Sequence, residues 1–185
     1  MMTIPNLLTI GRILLTPVLA WLILQGRLTS ALVLFFIAGM SDAVDGFLAR
    51  HFNQKSKFGA YMDPLADKAL LVTSFVVLCY IGLIPTWLTV ITVARDLMIL
   101  SGFFALYLSG VKVEMRPLAV SKATTFFQLL TVFTMLGSSL IELPGPAYTA
   151  LFLVTAAFSV YSGGRYVQTG MSLVAQHRGR MTDDR

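Results

Sequence analysis

Apolar residues in this chain do not alternate with polar ones. They run in long blocks. Six blocks stand out, near residues 8–26, 30–49, 64–83, 86–108, 123–141 and 147–167. Each is close to the roughly 20 helical residues needed to cross a hydrocarbon layer about 30 Å thick. The breaks between blocks carry turn residues: Gln25-Gly26-Arg27, Gly82-Leu83-Ile84-Pro85, Ser109-Gly110 and Leu143-Pro144-Gly145-Pro146. This pattern predicts an all-α polytopic membrane protein of six transmembrane helices. It shows no internal repeat, so residues 1–185 form a single domain. From about Gln168 onward the chain turns polar, and a flexible tail is expected over 168–185.

Composition strengthens that reading. The chain is 56% hydrophobic and 12% charged, with mean hydropathy +0.77, whereas soluble domains carry about 25% charged residues. Its net charge of +5 does not imply a nucleic-acid partner. The basic residues sit at block ends, as topology signals and anionic-lipid contacts do. Arg50, Lys55 and Lys57 lie in the second link, Lys112, Arg116 and Lys122 in the fourth, and Arg178, Arg180 and Arg185 in the tail. The opposite links hold only Arg27. Both termini are therefore expected in the cytoplasm, in an inner or cytoplasmic membrane or an organellar inner membrane. The N-terminus shows no basic region or cleavage pattern of a signal peptide. A lone Cys79 permits no intrachain disulfide.

The first block opens with Asn6, Thr9 and Arg12 at intervals of three. That spacing fits an amphipathic stretch lying at the interface. It fits equally an ordinary helix start with a snorkelling Arg12.

Four of the nine acidic residues, Asp42, Asp45, Asp63 and Asp67, fall within 26 residues. A charge at a bilayer centre costs roughly 2.5–3.5 kcal/mol by the lower estimates, so four unpaired carboxylates make no sense as packing. Asp42 and Asp45 share one helical face, as do Asp63 and Asp67. Two such pairs on neighbouring helices would converge on one or two divalent cations. Hard carboxylate oxygens suit Mg2+ or Mn2+ rather than zinc. His51 and His177 are isolated and are expected in loop or tail. Pro64 fits the first turn of a helix, or a kink. Gly46 and Gly59 would let a ligand approach the backbone, and Arg50 is a candidate phosphate ligand.

The pattern D-x2-D-G-x2-A-R-x8-G-x3-D-x3-D, formed by Asp42, Asp45, Gly46, Ala49, Arg50, Gly59, Asp63 and Asp67, resembles the signature of the CDP-alcohol phosphatidyltransferases at every position. The six-block layout is similar to that family over most of the chain. The resemblance implies transfer of a phosphatidyl group from a CDP-linked lipid to an alcohol, releasing CMP. It implies two Mg2+ or Mn2+ ions held by Asp42, Asp45, Asp63 and Asp67, with Asp67 as the base for the acceptor hydroxyl. It places Gly46, Ala49, Arg50 and Gly59 in the CDP-lipid site, and it suggests a homodimer.

The acceptor should be chosen by the second half of the chain. Arg95-Asp96 lies inside an apolar block, where pairing or substrate contact would offset its cost. Ser121, Lys122, Thr125 and Gln128 are read as a polar face at the start of the fifth block, and Gly164-Arg165 closes the sixth. Arg95, Lys122 and Arg165 are thus candidates for an anion pocket. Ile4 to Leu8, Gly59 to Lys68, Ala94-Arg95-Asp96, Ser121-Lys122 and Gly164-Arg165 look most similar to the cardiolipin synthases within the family. Phosphatidylglycerophosphate synthases would be expected to carry Arg-Glu here, and a further Arg one to two turns on. This chain instead stays apolar to Tyr107. Phosphatidylglycerol is therefore the expected acceptor, with glycerol 3-phosphate as the alternative. A divalent-metal transporter is a remote alternative, because such sites favour the midplane and repeated halves. A two-metal phosphatase or nuclease would not need the glycine and arginine spacing.

Overall fold

A computed structural model describes residues 4–52, 57–108 and 119–183, with side chains at 11–41, 66, 68–102 and 120–168. Six α-helices make up the fold: α1 (Ile4–Leu24), α2 (Leu28–Phe52), α3 (Lys57–Tyr80), α4 (Thr86–Leu108), α5 (Ala119–Leu136) and α6 (Gly145–Asp183). A 3₁₀ turn, Gly137–Ser139, follows α5. Among the described residues there is no β-strand.

Two tight connections come directly from glycine. Gly26 and Gly82 have φ of 69° and 81°, in the left-handed region where a Cβ is penalised. In each, the glycine N–H bonds the carbonyl three residues back and the next N–H bonds the carbonyl five back: Gly26 to Ile23 and Arg27 to Leu22, Gly82 to Cys79 and Leu83 to Leu78. These are Schellman caps, which satisfy orphan carbonyls and turn the chain sharply. They reverse α1 into α2 and α3 into α4.

The helices form two groups. α1 packs against α3 and α2, while α6 packs against α5 and α4. Contacts of α5 with α2 and α3, and of α3 with α4, join the groups. The apolar core fills one end of the bundle. It includes Leu19 and Ile23 of α1, Phe35 of α2, Phe75 and Leu78 of α3, Leu88 of α4 and Leu136 of α5. Arg12, Arg95 and Asp96 are buried outside this core.

Beyond this core, many polar side chains point inward and many apolar ones outward. Arg12, Ser74, Thr92, Arg95, Asp96, Thr124, Gln128, Thr131, Thr155, Ser159 and Ser162 are buried, whereas Leu14, Trp21, Phe36, Val90, Leu97, Phe126 and Leu153 are exposed. Water would favour the reverse, but where hydrocarbon is the solvent apolar groups lose nothing by facing out. Six of the inward hydroxyls are satisfied locally. Ser74, Thr92, Thr124, Thr131, Thr155 and Ser159 each donate to the carbonyl four residues back, a bond a helix can supply without water. By length and hydropathy, residues 145–168 qualify as a membrane-crossing stretch among those described. Shorter apolar helical stretches occupy 11–24, 28–41 and 68–80.

Several expectations are corrected. The helix of the sixth block does not stop near residue 167, because α6 continues to Asp183. Its polar part contains no proline, so nothing interrupts the backbone bonds. At 39 residues, α6 is about 58 Å long at 1.5 Å per residue and exceeds any hydrocarbon layer. α2 and α3 likewise run past the apolar blocks, leaving only residues 53–56 between them. Hydropathy stops at the first charges, but helical hydrogen bonding does not. Pro64 is consequently well inside α3 rather than in its first turn, and His51 and His177 fall within helices. Arg12 is buried, at 4% exposure, so it does not snorkel. From Gly11 onward α1 is a packed member of the bundle rather than a strip beside it.

Candidate active site

The signature residues fall on two consecutive helices. Asp42, Asp45, Gly46, Ala49 and Arg50 lie on the last part of α2; Gly59, Asp63 and Asp67 lie on the first part of α3. Their side chains are outside the described ones. The backbone alone puts Asp42 and Asp45, and Asp63 and Asp67, one turn apart on their helices.

Residues flanking Asp67 show what holds this part of α3. Ala66 is buried at 1% exposure. Lys68 turns towards α4, and its Nζ donates to Asp96 Oδ1 at 2.8 Å. The same oxygen accepts from Arg95 Nη1 at 2.6 Å. Arg95 Nη2 donates to Ser121 Oγ of α5 at 2.8 Å and to Ser162 Oγ of α6 at 2.7 Å. A guanidinium has five N–H groups, and three of them are used here. Nε is buried and makes no hydrogen bond among the described residues. Gly163 packs beside this arginine: a Cβ there would stand 3.7 Å from Arg95 Cγ, an ordinary van der Waals contact.

The cluster therefore ties four helices, α3 to α6, through one carboxylate and one guanidinium. Its burial is uneven. Asp96 and Arg95 side chains are 2% and 3% exposed, whereas Lys68 is 22% exposed. Ion pairing offsets the cost of placing these charges inside an apolar bundle.

Of the three acceptor-pocket candidates, Arg95 is at the centre of this cluster. Lys122 and Arg165 are exposed, on α5 and α6 respectively. The inward polar face of α5 consists of Ser121, Thr124, Gln128 and Thr131. It leaves Lys122 outside, which corrects the expected face. Lys68 and Ser162 are further members that the sequence alone does not single out. The available signal was charge sign: a lysine and an aspartate embedded in two neighbouring apolar blocks invite pairing. Among the described residues there is no cluster of three or more His, Cys, Asp or Glu.

The sequence profile of the CDP-alcohol phosphatidyltransferases matches residues 2–161. A probable cardiolipin synthase (CMP-forming) of Drosophila melanogaster is 37% identical, covering 90% of this chain and 57% of the relative. The cardiolipin synthase (CMP-forming) of Rattus norvegicus is 36% identical, covering 88% and 62%. The chain thus spans about three-fifths of the length of these animal relatives. The CDP-diacylglycerol--glycerol-3-phosphate 3-phosphatidyltransferase of Bacillus subtilis (strain 168) is 31% identical, covering 90% of this chain and 94% of the relative. A match over most of the chain, with the eight-residue signature on consecutive helices, makes this protein a member of the CDP-alcohol phosphatidyltransferase family.

Proposed function

We propose that this protein transfers the phosphatidyl group of CDP-diacylglycerol to phosphatidylglycerol, giving cardiolipin and CMP. The observation that carries this reading is the aspartate signature on α2 and α3, one residue away from a buried cationic cluster. The similarity to CMP-forming cardiolipin synthases favours a lipid acceptor. The similarity to the Bacillus subtilis protein, which matches over nearly its full length, favours glycerol 3-phosphate as the second reading. The apolar exterior of the bundle suits a second lipid's chains.

Asp42, Asp45, Asp63 and Asp67 would hold two Mg2+ or Mn2+ ions, since their hard oxygens in two helical pairs fit such ions. Bound there, the ions would neutralise the diphosphate and stabilise the charge of the leaving CMP. The chain's own residues do the rest. Gly46, Ala49, Arg50 and Gly59 bind the CDP moiety. Asp67 accepts the proton of the acceptor hydroxyl as its oxygen bonds to the phosphatidyl phosphorus. The bond from that phosphorus to the CMP oxygen breaks, and CMP departs. Arg95, Lys122 and Arg165 form the basic side of the acceptor pocket.

The six helices each cross the membrane in this proposal, with both termini and residues 53–56 in the cytoplasm, as the basic links require. A cysteine placed at position 55, in a background lacking Cys79, should react with impermeant reagent only from the cytoplasmic side. Labelling from the opposite side would overturn the orientation.

The acceptor is tested by CMP release from CDP-diacylglycerol with Mg2+ or Mn2+. Phosphatidylglycerol should support turnover at least about tenfold better than glycerol 3-phosphate, a difference of about 1.4 kcal/mol. The reverse preference would favour the second reading. No CMP release with either would refute transferase activity of the purified chain.

A further inference from the structure

We infer that Lys68 and Arg95 form a single seat for the acceptor's phosphate, and that Asp96, shared between them, sets its net charge at +1 and selects a phosphodiester over a phosphomonoester. This rests on the phosphatidyltransferase reading above.

The geometry is specific. Lys68 Nζ and Arg95 Nη1 both bond Oδ1 of Asp96, so the ammonium and the guanidinium stand side by side at one oxygen. Two cations share one carboxylate, which leaves one positive charge uncompensated among the described side chains of the cluster. Lys122 and Arg165 are exposed, and the surrounding medium screens such charges more strongly than buried ones. A charge at a buried position without a counter-ion is costly, and an anion docked beside it removes that cost.

Donors remain for such an anion. Lys68 has three N–H groups and uses one on Asp96. Arg95 Nε is buried and makes no hydrogen bond among the described residues. Access is from the lysine side, because Lys68 is the partly exposed member of an otherwise closed cluster. Lys68 also follows Asp67 directly in the chain, so a phosphate held there keeps the attached glycerol close to the turn that bears the proposed base.

The selection follows from charge. A phosphodiester such as that of phosphatidylglycerol carries one negative charge and neutralises the seat. A phosphomonoester is close to a dianion at neutral pH, since its second pKa is about 6. It would leave one negative charge inside an apolar bundle. Asp96 contacts no substrate in this scheme. It is a positioning residue that aims the two cations and fixes their sum.

The test measures CMP release while phosphatidylglycerol, glycerol 3-phosphate and CDP-diacylglycerol are varied separately. Lys68→Met should raise KM for phosphatidylglycerol about tenfold or more, as loss of a charged hydrogen bond does, with KM for CDP-diacylglycerol changed less than about twofold. Lys68→Arg should recover most of the loss. Asp96→Asn should move the kcat/KM ratio of phosphatidylglycerol to glycerol 3-phosphate about tenfold towards the dianion. If Asp96→Asn does not fold, Asp96→Glu should keep the wild-type ratio, and the two Lys68 variants still decide the seat.

Equal KM changes for both lipids, or none, in folded Lys68→Met would overturn the seat while the transferase reading stands. An unchanged acceptor ratio in Asp96→Asn, a changed one in Asp96→Glu, or a wild-type preference for glycerol 3-phosphate would overturn the charge selection. A wild-type protein that releases no CMP with any acceptor would instead remove the reading on which both rest.

Discussion

Asp67→Asn should reduce metal-dependent CMP release by about a thousandfold or more. A general base alone contributes about 10²–10⁴, and this residue is also proposed to hold metal. The amide is nearly the same size as the carboxylate, so packing around α3 is preserved. Lys68 and Ala66 on either side keep their own contacts, the ion pair to Asp96 and a buried position respectively. The variant should therefore insert and unfold as the wild type does. Release of CMP measured at saturating Mg2+ or Mn2+ is the decisive reading. Near-normal turnover would refute the base assignment. Full recovery at higher metal would reduce Asp67 to a metal ligand.

Arg95→Ala should have the largest effect on stability. The wild-type guanidinium bonds Asp96 on its own helix, Ser121 on α5 and Ser162 on α6. Alanine removes all three bonds at once and leaves a cavity. The serines can turn to their own helices for acceptors, and Asp96 keeps Lys68. These compensations limit the damage to about 3–5 kcal/mol, the range for breaking a buried pair. Thermal unfolding in detergent would report it as a clear fall in Tm. Arg95→Lys should recover only part, because an ammonium cannot reproduce the planar fork that reaches two neighbouring helices. A Tm within about 2 °C of wild type for Arg95→Ala, less than a 1 kcal/mol change would produce, would mean that the cluster carries little of the packing.

Much of this protein was legible along the chain because the signals are local. The helical class follows from apolar blocks long enough to cross hydrocarbon, and the turns at Gly26 and Gly82 follow from a backbone conformation that glycine adopts without strain. The aspartate signature is equally local: all eight positions lie within 26 residues, and helical periodicity pairs them by face without reference to the rest of the fold. Helix ends were less legible. Hydropathy marks where a helix leaves hydrocarbon, whereas a helix itself ends where its hydrogen bonds end, so α2, α3 and α6 all continue into polar sequence.

The cluster of Lys68, Asp96, Arg95, Ser121 and Ser162 depends on tertiary structure. Its members span nearly a hundred residues, and the hydrogen bonds between helices join positions 26, 28 and 67 residues apart. The sequence shows that Lys68, Arg95 and Asp96 lie in apolar surroundings and need partners. It does not show which partners, because that depends on how α3, α4, α5 and α6 rotate about their axes as they pack. The same rotation leaves Lys122 exposed while its neighbour Ser121 reaches Arg95. Adjacent residues on a helix point about 100° apart. The sequence by itself thus determined the helices and the aspartate signature, which rest on neighbouring residues, and only packing decided which charges meet.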